Sequence, residues 1–193
     1  MERLGVLASG GGSNLAAVLE TGLPVAVVVV DRPCRAIAVA EAAGVPTELV
    51  PRAEIADRLE FTHRIVDALE AHDVGVVAMA GFMTILEKPV FDAFGGRILN
   101  THPSLLPAFR GAHAVADALE AGAKITGCTI HVATLEVDSG PILAQEAVPV
   151  LPGDTVETLH ERIKAVEHRL YPDTIRHFLT GAVPERLAEA SNR

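Results

Sequence analysis

The sequence predicts an α/β fold, a parallel N-terminal sheet continued by a mixed C-terminal part. Three observations carry it. Short runs of Val, Ala, Ile and Leu recur, each four to seven residues long and closed by Gly, Asp or Ser, the pattern of strands buried on both faces. Between them lie stretches with apolar residues at helical spacing. The alternation βαβαβαβ over the first 80 residues implies a parallel sheet covered on both sides.

Leu4–Ala8 reads as the first strand and Ser13–Leu19 as a helix, with Ser13 as its N-cap. Val25–Val30 is a run of Val and Ala ending at Asp31. Arg35–Ala43 is an Ala-rich helix stopped by Gly44, and Thr47–Val50 is a third strand. Leu59, Thr62, Ile65, Val66 and Leu69 place one apolar face on a helix over Ala56–Ala71. Val74–Ala80 is the fourth strand. The second half changes character. Arg97–Thr101 reads as a strand and Ala112–Ala121 as a helix ended by Gly122. Gly127–Ala133 and Ile142–Val150 are expected to pair antiparallel. Asp154-Thr155-Val156-Glu157 has the form of a capping box and opens a long helix to about Leu179. No repeat, linker or charge block divides the chain, so one domain over 1–193 is expected.

The 193 residues are 49% hydrophobic and only 4% aromatic, without Trp, so the core must be built from aliphatic side chains. Sixteen basic against 25 acidic residues give a net charge of −9, the reverse of a phosphate-gripping surface, so nucleic acid is not an expected partner. Cys34 and Cys128 stand in no CxxC pair, which suggests a reducing compartment and a cytoplasmic protein. The N-terminal apolar segment is too short for a signal peptide, and no run reaches membrane-spanning length. Val, Ala and Leu on the first-half helices could form a homodimer face or equally be core.

Ser9-Gly10-Gly11-Gly12-Ser13-Asn14 joins the first strand to the first helix. Small residues let an anion approach the backbone, and a helix N-terminus offers unpaired N–H groups, which suits a phosphate monoester. The plain alternative is a tight βα turn with no ligand. A dinucleotide site competes: Gly10 and Gly12 begin a GxGxxG pattern, and Asp31 lies where a ribose-binding acid would be. Its third glycine position, however, is Leu15. No GKS or GKT follows, so triphosphate hydrolysis has no support.

Asn100-Thr101-His102-Pro103-Ser104-Leu105-Leu106-Pro107 follows a predicted strand, where α/β proteins place their sites. Asn100 and His102, two apart on an extended segment, share one side. Asp138 lies in the later Val137-Asp138-Ser139-Gly140-Pro141. An amide can donate to an oxyanion, an imidazole can move protons, and a carboxylate beside the imidazole favours its charged form. Turn chemistry alone would also explain Asn100 and Asp138. Ser104 lacks the G-x-S-x-G elbow of a nucleophile and reads as a turn or capping residue. His63, His72, His160, His168 and His177 fall in helical stretches where a solvated face explains them, and no histidine spacing suits a metal.

With Gly10–Asn14, Ala80-Gly81-Phe82-Met83, Asn100–Pro107, Thr126–His131 and Val137–Ile142 in this order, the chain resembles the phosphoribosylglycinamide formyltransferases from Leu4 to about Phe178. The resemblance implies a Rossmann-like formyltransferase fold, with residues 1–96 as a phosphate-binding half and 97–193 as a catalytic and folate-binding half. It also implies transfer of the formyl group of 10-formyltetrahydrofolate, a co-substrate, to the amino group of glycinamide ribonucleotide in purine synthesis, with no metal. It assigns Gly12, Ser13, Asn14 and Glu167 to the ribonucleotide. Arg58, Met83, Thr84, Ile85, Leu86 and Asn100 would meet the formyl-folate. Asn100, His102 and Asp138 would be catalytic, with Asn100 and a protonated His102 holding the oxyanion of a tetrahedral intermediate and Asp138 favouring that protonation. Two positions depart from the pattern: Thr84, where the family often has Arg, and Arg110, where it usually has Pro. The tRNA formyltransferases share the Asn/His/Asp set, and their added basic domain is not expected here. Formyltetrahydrofolate hydrolase carries an N-terminal regulatory domain that is likewise not expected, and a non-catalytic nucleotide-binding domain would explain only the glycine loop. A loop spanning Thr134–Pro141 is expected to act as a mobile lid.

Overall fold

A computed structural model describes residues 2–181. The ends of the expected 1–193 domain therefore lie outside the described residues. Seven strands form one sheet: β1 (Arg3–Ala8), β2 (Val25–Val30), β3 (Thr47–Leu49), β4 (Val74–Met79), β5 (Ile98–His102), β6 (Ile125–Val132) and β7 (Ile142–Pro149). Their spatial order is β3-β2-β1-β4-β5-β6-β7. The first five are mutually parallel, and β6 and β7 each run antiparallel to the neighbour before them. The parallel half and the mixed half stand where the apolar runs place them.

Six helices cover the sheet: α1 (Ser13–Glu20), α2 (Arg35–Ala42), α3 (Arg58–Glu70), α4 (Lys88–Phe94), α5 (Ala114–Glu120) and α6 (Val156–Leu179). Strand alternation sorts the core into two layers. Leu4, Val6, Val28 and Val30 pack with Leu15, Ala36, Val115, Leu159 and Ile163 on one face. Leu7, Val27 and Val29 pack with Phe61, Ile65, Val90 and Phe94 on the other. The apolar residues Leu15, Val18, Ala36 and Ala40 of α1 and α2 are thus spent on the core.

Three local expectations change. Gly12, not Ser13, is the N-cap of α1; it sits in the left-handed region at φ 75° and no side chain caps the helix. A Cβ on Gly12 would lie 3.0 Å from the Ala36 backbone, so only glycine can turn the chain there. The box opening α6 is Thr155 with Thr158 rather than Asp154 with Glu157. Asp154 instead binds the Arg162 guanidinium through both oxygens, at 2.8 and 2.9 Å. Helix α4 is absent from the sequence reading. Its signals are Pro89 in the first turn and Val90 and Phe94 one turn apart, both buried. A seven-residue helix shows too few periods to stand out. The long helix expected to about Leu179 is present as α6 and continues through Pro172. A missing N–H costs a helix about 3 kcal/mol, but Leu159, Ile163, Tyr171 and Ile175 of the same helix are all buried in the core, which outweighs it.

Candidate active site

The switch in strand order falls between β1 and β4, whose carboxyl ends lie side by side. Open α/β sheets bind ligands at such a point because the loops there diverge to opposite faces. The loop after β1 carries Gly10–Asn14, the loop after β4 carries Gly81–Leu86, and β5 ends at His102. All three line one cavity of ≈ 490 Å³, within the ordinary size of small-molecule sites. Its far wall is the loop Ala133–Asp138 and one face of α6. Among the described residues no helix is long and apolar enough to cross a membrane. Nor, among them, does any group of three or more His, Cys, Asp or Glu side chains have the arrangement of a metal site.

Asn100, His102 and Asp138 come together as the sequence reading requires. His102 is 5% exposed. Its Nε2 meets the Phe109 carbonyl at 2.8 Å, and its Nδ1 faces Asp138 Oδ2 at 3.4 Å. Both neighbours are held in the left-handed region, Phe109 and Asp138 each at φ 53°. Asp tolerates this conformation, whereas for Phe it is strained. The segment between is tightly built. Ser104 donates to the Ala108 carbonyl at 2.6 Å, as a turn residue should. Thr129, across the strand, donates to the Ser104 carbonyl and accepts the Leu106 N–H.

Asp138 is fixed by three neighbours. The Gly111 N–H donates to Oδ2 at 2.8 Å, His102 lies beside the same oxygen, and His131 Nε2 lies 3.6 Å from Oδ1. Burial pushes this carboxyl up, but the His131 ring, the Gly111 N–H and the charge of His102 outweigh it, leaving its pKa below the usual carboxylate range. Gly140, two residues on, abuts the Val132 carbonyl, leaving no room for a Cβ.

His131 carries no mark in the sequence that sets it apart from a strand residue. Antiparallel pairing of β5 with β6 sets it directly opposite Asn100. Its Nε2 lies 3.1 Å from Asn100 Nδ2, and its Nδ1 lies 3.1 Å from the Val132 carbonyl. Asn100 keeps its second N–H for the cavity. Two residues of separation cannot reveal this, because the contact comes from register between strands 31 positions apart.

The phosphate-loop side also assembles. Glu167 of α6, 4% exposed, accepts from Asn14 Nδ2 at 3.0 Å and from Thr101 Oγ1 at 3.1 Å. It has no ion-pair partner among the described residues, an unusual state for a buried acid. One face of α6 brings His160 and Lys164 to the same wall as Glu167. Among the described residues, Lys164 is the only Lys or Arg lining the cavity. The expectation of a solvated face for His160 therefore fails, as it does for His168, whose Nε2 is buried. Spacings of four and three along one helix held this information, but only the packed helix shows which face turns inward.

Met83, Thr84, Ile85 and Leu86 line the opposite end of the cavity. Met83 and Ile85 are exposed and Leu86 is buried. Thr84 turns inward and donates to Asp31 Oδ2 at 2.6 Å. Asp31 is thereby taken up, together with Arg32, and is not free for a ribose. Arg58 lies at the start of α3, outside the cavity lining, 3.8 Å from Glu87 beyond Leu86. Arg110 is exposed and lies 3.8 Å from Glu136.

Comparison with known proteins agrees with this geometry. The formyl transferase family profile matches residues 2–175. The chain is 48% identical to the phosphoribosylglycinamide formyltransferase of Mycobacterium tuberculosis (strain H37Rv), over 94% of this chain and 86% of that protein. It is 41% identical to the human trifunctional purine biosynthetic protein adenosine-3, covering 94% of this chain and 19% of that longer protein. The crystal structure of glycinamide ribonucleotide transformylase 1 from Symbiobacterium toebii superposes with a TM-score of 0.91 at 48% identity, over 94% of this chain and 89% of that one. Phosphoribosylglycinamide formyltransferase from Bacillus halodurans gives 0.90 at 36% identity, over 94% and 97%. The chain belongs to the formyl transferase family.

Proposed function

We propose that this chain transfers the formyl group of 10-formyltetrahydrofolate to the amino group of 5-phosphoribosylglycinamide, a step of de novo purine synthesis, in the cytoplasm. The observation that carries it is a single cavity holding Gly12–Asn14 at one end, Met83–Leu86 at the other, and Asn100, His102 and Asp138 between. A phosphorylated amine and a formyl donor entering from the two ends would meet at the three polar side chains.

The uncapped N-terminus of α1 presents free N–H groups and a partial positive charge to a phosphate. Lys164, whose ammonium is paired with Glu161 at 2.7 Å, would turn to the phosphate as the cationic side chain of this wall. Glu167, already aligned by Asn14 and Thr101, accepts from ribose hydroxyls. The exposed apolar faces of Met83 and Ile85 and the backbone of this loop take the folate ring system, and Arg58 stands beyond them towards its acidic tail. Free Cys34 and Cys128 suit a reducing compartment.

The amine attacks the formyl carbon, a C–N bond forms, and the carbonyl oxygen becomes an oxyanion. The free N–H of Asn100 donates to it, and the positive charge of an imidazolium at His102 stabilises it. Asp138, 3.4 Å from Nδ1, pairs with that imidazolium. The ammonium then loses a proton, the folate nitrogen gains one, and the bond between that nitrogen and the formyl carbon breaks. Removing one such donor costs about 3 kcal/mol, or about 10²-fold in rate.

The test is an assay of formyl-folate loss in which the ribonucleotide is supplied or withheld. Loss that depends strictly on 5-phosphoribosylglycinamide is expected. Loss without it would indicate a hydrolase, and no loss in either condition would leave only a binding domain.

A further inference from the structure

Asp31 is the most buried acid at the carboxyl ends of the strands, 1% exposed, and the chemistry above does not use it. Arg32 reaches both its oxygens, Nε to Oδ1 and Nη2 to Oδ2, each at 2.9 Å. Thr84 donates to Oδ2 at 2.6 Å, a short charge-assisted bond. One residue earlier in the same loop, the Met83 N–H donates to Ser9 Oγ at 2.9 Å. The Ser9 N–H in turn donates to the Gly81 carbonyl at 3.3 Å. Three strand ends, β1 through Ser9, β2 through Asp31 and β4 through its following loop, are thus joined by side chains directly under the donor end of the cavity.

The alternation along this loop explains why an anchor is needed. Met83 and Ile85 turn outward and are more than half exposed. Phe82, Thr84 and Leu86 turn inward, and of these only Thr84 carries a polar side-chain atom to hold with. An apolar surface left on so short a loop gains nothing from burial until a ligand covers it, so its order must come from below.

We propose that Asp31 is a positioning residue for the formyl donor: through Thr84 it fixes the loop Gly81–Leu86 in the geometry that receives the donor's ring system. The inference rests on the reaction read above and names a residue that never touches the substrate. A site held by packed and charge-paired supports binds without first ordering itself, and losing the support appears as weaker binding of that ligand alone.

Steady-state kinetics on the full chain decide it, with both substrates varied. Thr84→Val removes the donated bond. Asp31→Asn keeps the volume but sets an amide against the Arg32 guanidinium or the Thr84 hydroxyl. Thr84→Ser restores the hydroxyl. In the first two, KM for 10-formyltetrahydrofolate is expected to rise about tenfold while KM for the ribonucleotide moves less than about twofold. Thr84→Ser should return the donor KM to the wild-type value. Unmoved donor KM in both variants overturns the proposal, as does a parallel rise in both KM values with a lower Tm, the signature of a merely structural residue. Should Asp31→Asn fail to fold, the Thr84→Val and Thr84→Ser pair decides alone. A wild-type chain that consumes no formyl donor overturns the reaction and this inference together; an active wild type with unmoved variants overturns only the inference.

Discussion

At Asp138 a single carboxylate serves His102, His131 and the Gly111 N–H at once. Its replacement therefore disturbs charge, orientation and loop together. Asp138→Ala and His102→Ala are each expected to lower kcat by at least about 10²-fold with KM changed little, since these groups act on charge that exists only in the transition state. Steady-state kinetics check this; a large KM effect with kcat intact would contradict the assigned roles. The residue types and their order were legible in the sequence, because Asn, His and Asp are scarce chemistry in otherwise apolar or turn-forming stretches. The part played by His131 was not. Its single contact with Asn100 exists only because β5 and β6 pair in one register, and a shift of one residue would turn the ring to the other face.

Two elements decide how the cavity is shaped. Helix α1 begins at a left-handed glycine whose missing side chain lets it pack on Ala36. Gly12→Ala forces both an unfavourable φ and a close contact. It is expected to raise KM for the ribonucleotide at least about tenfold while the donor KM holds, because the N–H groups of the turn re-aim. Equal KM values in wild type and variant would show that this turn carries no phosphate. Helix α6 is the second element. Tyr171 is fully buried and its hydroxyl reaches the Met79 carbonyl at 3.1 Å and the Leu99 carbonyl at 2.9 Å, tying β4 to β5 beside the site. Burial, then the nearby Glu167, push its phenol well above the ordinary range, so it stays a donor. Tyr171→Phe removes the one O–H shared by the two carbonyls and should cost about 1 kcal/mol, a fall in Tm of a few °C by calorimetry. An unchanged Tm would mean that those carbonyls are satisfied otherwise.

Across the whole molecule, buried acids set the response to pH. Arg32, Thr84 and Ser9 overcome the effect of burial on Asp31, and the surroundings of Asp138 do the same, so both titrate below the ordinary carboxylate range when folded. As pH falls, the unfolded chain binds these protons first. Their stabilisation is complete above about pH 5 and is lost as pH drops below about 4, through the folded values. Thermal melts from pH 7 to pH 3 should show Tm level at first and then falling, less steeply in Asp31→Asn. A slope unchanged in that variant would remove Asp31 from the account.

The sequence by itself determined the layered α/β arrangement, the antiparallel turn of the last strands, the glycine loop and the Asn, His and Asp of the cavity. Each of these is written in local periodicity, turn chemistry or a contiguous motif, and local physics suffices to read it. Only the tertiary structure decided that Gly12 rather than Ser13 opens α1, that His131 meets Asn100, that His160 and Lys164 face inward, and that Asp31 is bonded to Arg32 and Thr84. These depend on register between distant strands and on which face of a helix packs inward. Those choices are made by the burial of the whole core, which no single segment contains.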